Sequence, residues 1–321
     1  MYTAKNIVSD ITSKKEVKSI AFVACGGSRT AMNAARMFVE KNAIGFRTGD
    51  YNANEFIHST PKYIGENSIV VLASQSGNTP ETVKAAAHAK SLGASVIALS
   101  YVKDSQLAKE SDYEVIYEWG EGSTPSLHKA SHALRIAMET LAQTEGWADY
   151  GKAYDAFAKI DGIIAAAVEK CSPDFAKFAK EFKDDKVIYT MGSGENFIAA
   201  HQETICILME MQWINSSAIH SGDYFHGPFE ITDDCVPFIQ YMTCGRNRPL
   251  DERALTFLKK HGKRYMSLDA KALGMDALAP EVAEYLEPLF FVTIMNTFNE
   301  MLATERDHPL STRRYMWKIE Y

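Results

Sequence analysis

Two segments of the 321-residue sequence place hydroxyl side chains beside glycine, each directly after a short apolar run. The first follows residues 19–25 and the second follows residues 68–73. Each segment also opens a helical pattern, so unpaired backbone N–H groups and the positive end of a helix dipole meet the hydroxyls. Such donors suit a phosphate group. Helix capping alone would also explain single residues of this kind, but two such loops on neighbouring strands favour a ligand. The candidate phosphate-binding residues are Gly26, Gly27, Ser28, Ser74, Gln75, Ser76 and Thr79.

Two further residues have side chains suited to proton transfer. Glu210 lies in residues 205–213, which are apolar on nearly all sides and predict a buried helix. Burial would raise the pKa of this carboxyl group toward neutrality, as a general acid or base requires. His226 lies between turn residues in 221–230, and histidine is a residue type suited to act as an acid or a base in proton transfer. The alternatives are an exposed glutamate at a frayed helix end and a core histidine bonded to a carbonyl group.

The composition excludes several classes of function. The chain has 34 basic and 41 acidic residues, a net charge of −7, whereas nucleic-acid and membrane-surface proteins carry a basic face. The sequence therefore predicts a small-molecule partner and no nucleic acid or membrane. Five scattered cysteines provide neither a disulfide framework nor the ligand spacing of a metal site. No apolar segment has the length of a signal peptide or a membrane span, so a cytoplasmic location is expected.

The elements that must position these residues alternate between β-branched runs and helical stretches, which is typical of an α/β fold with a parallel sheet. Long helical stretches at 127–145 and 149–182 separate two halves. Strands are predicted at 19–25, 68–73, 94–99, 113–117, 187–191, 234–239 and 263–268. The other helices are predicted at 30–42, 80–92 and 195–213.

The two halves repeat this order of elements. At an offset of 168 residues, Ala94 falls on Gly262, just before the strand predicted at 263–268. At an offset of 166 residues, Gly26 falls on Gly192 and the strand 68–73 falls on 234–239. The repeat indicates an internal duplication, with domains at 1–150 and 151–321. At this offset residues 240–243 stand opposite the loop that begins at Ser74, and they lack its serines. The anion is therefore predicted to bind in the first half only.

Three motifs resemble the sugar isomerase (SIS) family: Cys-Gly-x-Ser at 25–28, Ser-Gln-Ser-Gly at 74–77 and His-Gly-Pro at 226–228. The resemblance covers essentially the whole chain and implies tandem SIS domains, each a parallel sheet flanked by helices in a flavodoxin-like three-layer αβα arrangement. Residues 209–213 and the tail 308–318 are similar to the fructosamine-6-phosphate deglycases. The similarity is greatest to those of the fructose-asparagine pathway, whose substrate is 6-phosphofructose-aspartate.

The resemblance implies a role for Glu210 and His226, because the family pairs a glutamate with a His-Gly-Pro histidine 16 residues later. The implied reaction moves a proton from C1 to C2 of an Amadori compound and hydrolyses the resulting Schiff base. The products are glucose 6-phosphate and an amino acid, and no metal or other cofactor is required. We assign Glu210 as the base and His226 as the acid, although the sequence also permits the reverse. The family further implies a homodimer in which the partner lends its His-Gly-Pro loop.

An aspartate conjugate would bring carboxylates that a net-negative protein must meet with local cations. We therefore expect Arg313 or Arg314 to contact the amino-acid end of the substrate and Lys318 to lie close to the sugar. Two other functions stay open. One is an aldose–ketose isomerase of aminosugar phosphates, and the other is a non-catalytic sensor of sugar phosphates. A sensor would keep both hydroxyl loops but would not need Glu210 and His226.

Overall fold

A computed structural model describes residues 3–320 of the chain. The chain divides into two compact units, Met1–Ala158 and Lys159–Tyr321. The boundary between them falls inside a single long helix, Tyr150–Phe182.

The first unit contains a parallel sheet whose described strands are β1 (Ser19–Ala24), β2 (Arg47–Asn52), β3 (Ser68–Ser74), β4 (Ser95–Ser100) and β5 (Tyr113–Ile116). Their order across the sheet is β2-β1-β3-β4-β5, which is the flavodoxin-like order. Its helices are α1 (Ala4–Lys14), α2 (Gly26–Asn42), α3 (Ala53–His58), α4 (Pro80–Ser91), α5 (Gln106–Glu110), α6 (Lys129–Thr144) and the first part of α7 (Tyr150–Phe182). Pro125–Leu127 forms a short 3₁₀ turn.

The central strands of this sheet could be predicted from the sequence because they are apolar throughout. Every residue of β1, β3 and β4 is buried, as expected for a parallel sheet covered by helices on both faces. Strand β2 was not predicted, because Arg47–Asn52 lies at the sheet edge and has no apolar run.

The second unit repeats the architecture. Its described strands are β6 (Val187–Gly192), β7 (Asn215–His220), β8 (Phe238–Met242) and β9 (Tyr265–Asp269), in the order β7-β6-β8-β9. Its helices are the rest of α7, α8 (Asn196–Gln202), a π-helix (Glu203–Met211), α9 (Arg248–His261) and α10 (Pro280–Glu305). Two 3₁₀ turns cover Pro228–Ile231 and Met275–Ala277. The predicted α/β fold of two parallel sheets flanked by helices is confirmed.

The predicted offset of 166 residues is wrong by two. Strands β1 and β3 end at Ala24 and Ser74, whereas β6 and β8 end at Gly192 and Met242, an offset of 168 for both pairs. The strand predicted at 234–239 is Phe238–Met242. The carboxylate of Asp233 accepts hydrogen bonds from the backbone N–H groups of Cys235 and Val236, at 2.7 and 3.0 Å, and so holds the chain in a turn. The counterpart of the first unit's serine loop is therefore residues 242–247, not 240–243.

The helix predicted at 195–213 is present but changes type midway. After one short α-helical stretch, residues 203–211 adopt the wider π-helical winding, which is rare in proteins and often occurs at functional sites. The winding ends at Met211, and two residues later Trp213, a bulky residue, has φ of 55°. Such a conformation is strained for a large side chain, and surrounding contacts must maintain it.

Candidate active site

The two hydroxyl-bearing loops of the first unit leave neighbouring strands at the same edge of the sheet. Ala24, the last residue of β1, is in register with Ala73 of β3. Gly26 begins α2 with a positive φ of 50°, and Pro80 begins α4 directly after Thr79. The structure therefore brings together the predicted phosphate-binding residues 26–28 and 74–79. It also points two helix N-termini to one edge of the sheet, the arrangement that binds anions.

The serine loop is organised by its own hydrogen bonds. Ser74 Oγ and Thr79 Oγ1 are 2.9 Å apart, and Ser76 Oγ accepts from the backbone N–H of Asn78 at 3.2 Å. Gly77 has φ of 67°, and a Cβ atom there would lie 2.1 Å from Ser105 Oγ. Glycine is therefore required at this turn, and the hydroxyl groups are held in place before any ligand arrives. The carbonyl oxygen of Gln75 accepts from the N–H of Tyr101 at 3.2 Å, which fixes the loop to the chain after β4.

The side chain of Lys129 reaches this edge and was not predicted. Lys129 is the first residue of α6, is only 7% exposed, and donates from Nζ to Ser28 Oγ at 2.8 Å. Its ammonium group also lies 5.3 Å from the ring centre of Tyr117. Because an ammonium group only donates, Ser28 accepts from it and keeps its own proton for another acceptor. A lysine at the first position of a helix was the available signal, since a cation is disfavoured at a helix N-terminus unless an anion is near.

In the second unit, Glu210 lies near the end of the π-helix with its side chain 25% exposed. Its Oε1 atom lies 2.8 Å from Nη2 of Arg313 in the C-terminal tail. Burial raises the pKa of Glu210, and the positive charge and hydrogen bond of Arg313 lower it again. The predicted raised pKa is therefore present, but it has an opposing cation that sequence reasoning did not foresee. A half-buried carboxylate held by one oxygen is suited to accept a proton with the other.

His226 occupies an exposed loop and does not meet Glu210 within this chain. Strand β7 (Asn215–His220) separates them, with Glu210 preceding its first residue and His226 following its last. Six residues of strand span roughly 17 Å, so the two side chains lie toward opposite ends of β7. The backbone N–H of His226 donates to the carbonyl oxygen of Asp223 at 2.9 Å, and Gly227 has φ of 131°.

The three tail residues predicted to contact substrate have intramolecular partners in this structure. Arg313 donates from Nη1 to the carbonyl oxygens of Leu310 and Thr312, at 2.7 and 2.9 Å, besides its contact with Glu210. The guanidinium of Arg314 lies 4.2 Å from the ring centre of Trp213 and remains exposed. Lys318 Nζ donates to the carbonyl oxygen of Arg313 at 2.5 Å. The tail thus stands at the carboxylate that was assigned as the base.

The loops of the second unit that correspond to the phosphate loops are filled by carboxylates. Asp251 is fully buried and accepts from Ser221 Oγ at 2.6 Å and from the N–H of Thr243 at 2.9 Å. Glu287 is also fully buried and accepts from the N–H of Cys244 at 2.8 Å. Donors that would otherwise face an anion are satisfied by the chain itself. The edge of this sheet therefore offers no equivalent of the serine loop.

Within residues 3–320, no cluster of three or more histidine, cysteine, aspartate or glutamate side chains has the arrangement of a metal site. None of the helices in that same range combines the length and the apolar character needed to cross a bilayer.

Comparisons with known proteins show which family the chain belongs to. The SIS domain family model matches residues 15–141, within the first unit. The chain is 42% identical to fructosamine deglycase FrlB of Bacillus subtilis (strain 168), over 96% of this chain and 94% of that protein. It is 24% identical to fructoselysine 6-phosphate deglycase of Escherichia coli O157:H7, over 94% of this chain and 86% of the relative.

Solved structures are similar over nearly the whole chain. A Salmonella typhimurium LT2 protein described as a phosphosugar isomerase superposes with a TM-score of 0.97 at 47% identity, covering 99% of this chain and 96% of that one. A Bacillus subtilis protein of the same description gives a TM-score of 0.94 at 40% identity, covering 99% and 97% of the two chains. The chain therefore belongs to the fructosamine-6-phosphate deglycase family of SIS-domain enzymes.

Proposed function

We propose that this protein is a cytoplasmic deglycase that cleaves 6-phosphofructose-aspartate to glucose 6-phosphate and aspartate. The observation that carries the proposal is Glu210, a half-buried carboxylate that is ion-paired with a tail arginine at the end of a π-helix. A sensor would have no use for such a group. The identity of 42% to a fructosamine deglycase supports the reaction class.

The phosphate of the substrate binds the loops of the first unit in this proposal. Gly26, Gly27 and the hydroxyls of Ser28, Ser74, Ser76 and Thr79 supply donors, with Gln75 in the same loop. The pair Ser74–Thr79 and the contact of Lys129 with Ser28 orient three of these hydroxyls in advance. Binding energy from the phosphate, far from the reacting carbons, then helps to position C1.

The chemistry begins when the sugar ring opens and exposes the C2 carbonyl group. Glu210 removes a proton from C1, and the electron pair forms the C1–C2 double bond of an enolamine while the C2–oxygen π bond breaks and that oxygen takes a proton from water. A proton from His226 then reaches C2 and takes up the electrons of the C1–C2 π bond, while the nitrogen lone pair forms the C1–N double bond of a protonated Schiff base. Water adds to C1, and the carbon–nitrogen bond breaks to release the amino acid and the aldehyde of glucose 6-phosphate. Each positioned acid or base typically contributes a factor of about 10²–10⁴ to the rate. No metal or other cofactor enters these steps.

His226 acts on the substrate of a second copy in this proposal, so the working enzyme is a homodimer. The support is topological: Glu210 and His226 lie at opposite ends of β7, which is too long for the two side chains to meet within one chain. A symmetric pair of chains lets each copy give its loop to the other and completes two sites at once.

The aspartate end of the substrate requires a cation that is not already committed. Arg314 is exposed and stacked on Trp213, so its planar fork is the best-placed group for a carboxylate. Arg313 and Lys318 have intramolecular partners in this structure and would have to exchange them. We therefore assign recognition of the amino acid first to Arg314.

The test offers purified protein four compounds at equal concentration: 6-phosphofructose-aspartate, fructoselysine 6-phosphate, unphosphorylated fructose-aspartate and glucosamine 6-phosphate. Glucose 6-phosphate and free amino acid are measured separately. The proposal expects stoichiometric release of both products and the highest kcat/KM for 6-phosphofructose-aspartate. Unphosphorylated fructose-aspartate should have a much lower kcat/KM.

Other outcomes would redirect the assignment. A faster reaction of the lysine adduct would keep the deglycase chemistry but overturn the substrate. Conversion of glucosamine 6-phosphate to fructose 6-phosphate and ammonia, with no turnover of the amino-acid adducts, would indicate the isomerase of aminosugar phosphates. Tight binding with no turnover of any compound would indicate a sensor.

A further inference from the structure

The end of α10 and the C-terminal tail that follows it contact the residues just after the π-helix through hydrogen bonds and a ring contact. Gln212 Nε2 donates to the carbonyl oxygen of His308 at 2.8 Å, and Arg306 Nη2 donates to the carbonyl oxygen of Gln212 at 3.3 Å. The rings of His308 and Trp213 meet edge to face at 4.6 Å. These contacts hold Trp213 in its strained conformation, two residues after the π-helix that carries Glu210. These contacts therefore fix the start of the tail to the helix end that carries the Glu210 carboxylate.

Arg313 is the tail residue that reaches Glu210 itself. It is 9% exposed, and its Nη1 atom is fixed by the carbonyl oxygens of Leu310 and Thr312 while Nη2 faces Glu210 Oε1. Trp317 lies against the guanidinium, 5.4 Å from its carbon to the ring centre. A guanidinium held by two main-chain oxygens has little freedom to swing toward a ligand. Its direction is set by the tail and not by the substrate.

The remaining charged groups near this end of the π-helix engage other partners. Arg306 binds main-chain oxygens, Arg314 lies over Trp213, and Lys318 binds the carbonyl oxygen of Arg313. The imidazole of His308 packs on Trp213. Within residues 3–320, Arg313 is the charged group that acts on the pKa of Glu210, against the opposing effect of burial.

We infer that Arg313 is a positioning residue for Glu210: its fixed guanidinium holds Oε1 and keeps the carboxylate ionised, so that Oε2 faces the proton on C1. This inference rests on the proposed function in that it takes Glu210 as the base. It assigns the tail to proton transfer, whereas the sequence alone suggested recognition of the amino acid. Burial alone would raise the pKa of Glu210 further and so favour the protonated, inactive carboxyl group. The cation offsets that burial without touching the substrate.

The experiment compares wild type with Arg313→Gln and Arg313→Lys by the pH profile of kcat on 6-phosphofructose-aspartate. An opposite charge within 4–6 Å lowers a carboxyl pKa by about 1–3 units. Since Glu210 is partly exposed, the acid limb of Arg313→Gln should move to higher pH by about one unit. The kcat deficit should therefore be largest at low pH and shrink above the new limb, with KM nearly unchanged. Arg313→Lys keeps the charge and should restore most of the limb.

The matched control is Arg314→Gln, which removes a neighbouring positive charge but no contact with Glu210. It should raise KM for the aspartate adduct and leave the acid limb where it is. If Arg313→Gln instead raised KM and left the limb unmoved, Arg313 would be a substrate contact and the inference would be wrong. A uniform loss of activity at all pH values with a lower Tm would show a merely structural tail and would overturn it too.

A second readout separates this inference from the proposed function. The side-chain carboxyl of Glu210 can be titrated by ¹³C NMR in glutamate-labelled protein, with Glu210→Gln identifying its resonance. A higher Glu210 pKa in Arg313→Gln supports the inference even if no fructosamine phosphate is turned over. An unchanged titration in the folded variant overturns it, whatever the substrate proves to be.

Discussion

The two units share one sheet order, yet opposite groups fill the edge where their loops end. In the first unit, Gly26 and the serine loop present hydroxyls and N–H groups with Lys129 behind them. In the second, Gly194 has nearly the same φ as Gly26, 53° against 50°, but buried Asp251 and Glu287 accept the corresponding donors. The same backbone therefore presents uncommitted hydroxyl and N–H donors in the first unit, whereas in the second unit the chain's own carboxyl groups accept the corresponding donors.

This difference shows how two units with the same fold can take on different functions. A parallel sheet directs N–H groups to its carboxyl edge wherever it occurs, and these donors must be satisfied. Internal carboxylates satisfy them permanently in the second unit, which frees that unit for a different task. Its distinctive feature lies instead in the π-helix, where Glu210 is held by the tail. We therefore assign phosphate binding to the first unit and proton transfer to the second.

The largest expected effect comes from the second unit. Glu210→Gln and His226→Asn should each lower kcat by about 10²–10⁴-fold, because each removes one acid–base group and leaves the phosphate loops intact. Binding of inorganic phosphate, measured as the rise in Tm that phosphate causes, should be unchanged in both variants. Near wild-type kcat/KM in either variant would remove that residue from the mechanism.

Mixing these two variants tests whether the pair comes from two chains. If it does, subunit exchange at equal amounts should restore about a quarter of the sites, because half of the dimers then hold one intact pair. Each variant alone supplies the baseline, and exchange is verified with tagged chains by mass spectrometry. Demonstrated exchange without recovered activity would place both residues in one chain and refute the dimeric site.

A smaller effect is expected from the phosphate loops of the first unit. Ser76→Ala and Lys129→Met should each raise KM by about 10-fold or more, since a hydrogen bond to a charged group contributes about 1.5–3 kcal/mol. Both should also reduce the rise in Tm that inorganic phosphate causes. Methionine in place of the buried ammonium should not lower the Tm of the unliganded protein.

The matched control for the loops lies in the second unit. Ser193 occupies the loop after β6, and its hydroxyl donates to the carbonyl oxygen of Asn247 at 3.4 Å. Ser193→Ala should leave the phosphate-dependent rise in Tm at its wild-type value. A loss of phosphate binding in this variant, with none in Ser76→Ala, would reverse the assignment of the two units.

The sequence predicted the central strands and both hydroxyl loops because their signals are local. Apolar runs such as 68–73 are long enough to identify a buried strand, and glycine beside serine identifies the turn that follows. Edge strands β2 and β7 were missed because exposed or half-exposed residues replace the apolar run. Strand β8 was placed too early because an apolar segment precedes it in a loop that Asp233 turns.

The partners of the candidate site could not be predicted in the same way. Arg313 lies 103 residues from Glu210, and Lys129 lies 101 residues from Ser28. Sequence spacing carries no information on contacts of this range without the fold. Glu210 itself was identifiable, because a carboxylate in an apolar helix is conspicuous. The π-helical winding around it had no local signal.

The smallest expected effect is a difference in how the two units respond to pH. Burial raises the pKa of Glu203 to about 8 and that of Glu287 to about 7, both in the second unit. Each folded side chain keeps a proton that the unfolded chain releases above about pH 4.5. The second unit should therefore lose stability as pH rises from about 5 to 8, by up to about 1.4 kcal/mol per pH unit for each group. Glu203→Gln and Glu287→Gln should each flatten this decline.

The first unit should respond in the opposite direction. Burial lowers the pKa of His132 to about 4, so the unfolded chain binds a proton that the folded unit rejects as pH falls from 6.5. The stability of the first unit should fall as the pH is lowered from 6.5 to 4. In the same range the protonated Glu203 and Glu287 stabilise the folded second unit. Pulse-labelling hydrogen exchange in urea, at one labelling pH after equilibration at several, would report α6 and α10 separately. A common pH dependence of both helices would mean that the chain unfolds as one unit, and the difference between the units would then lie in their binding sites alone.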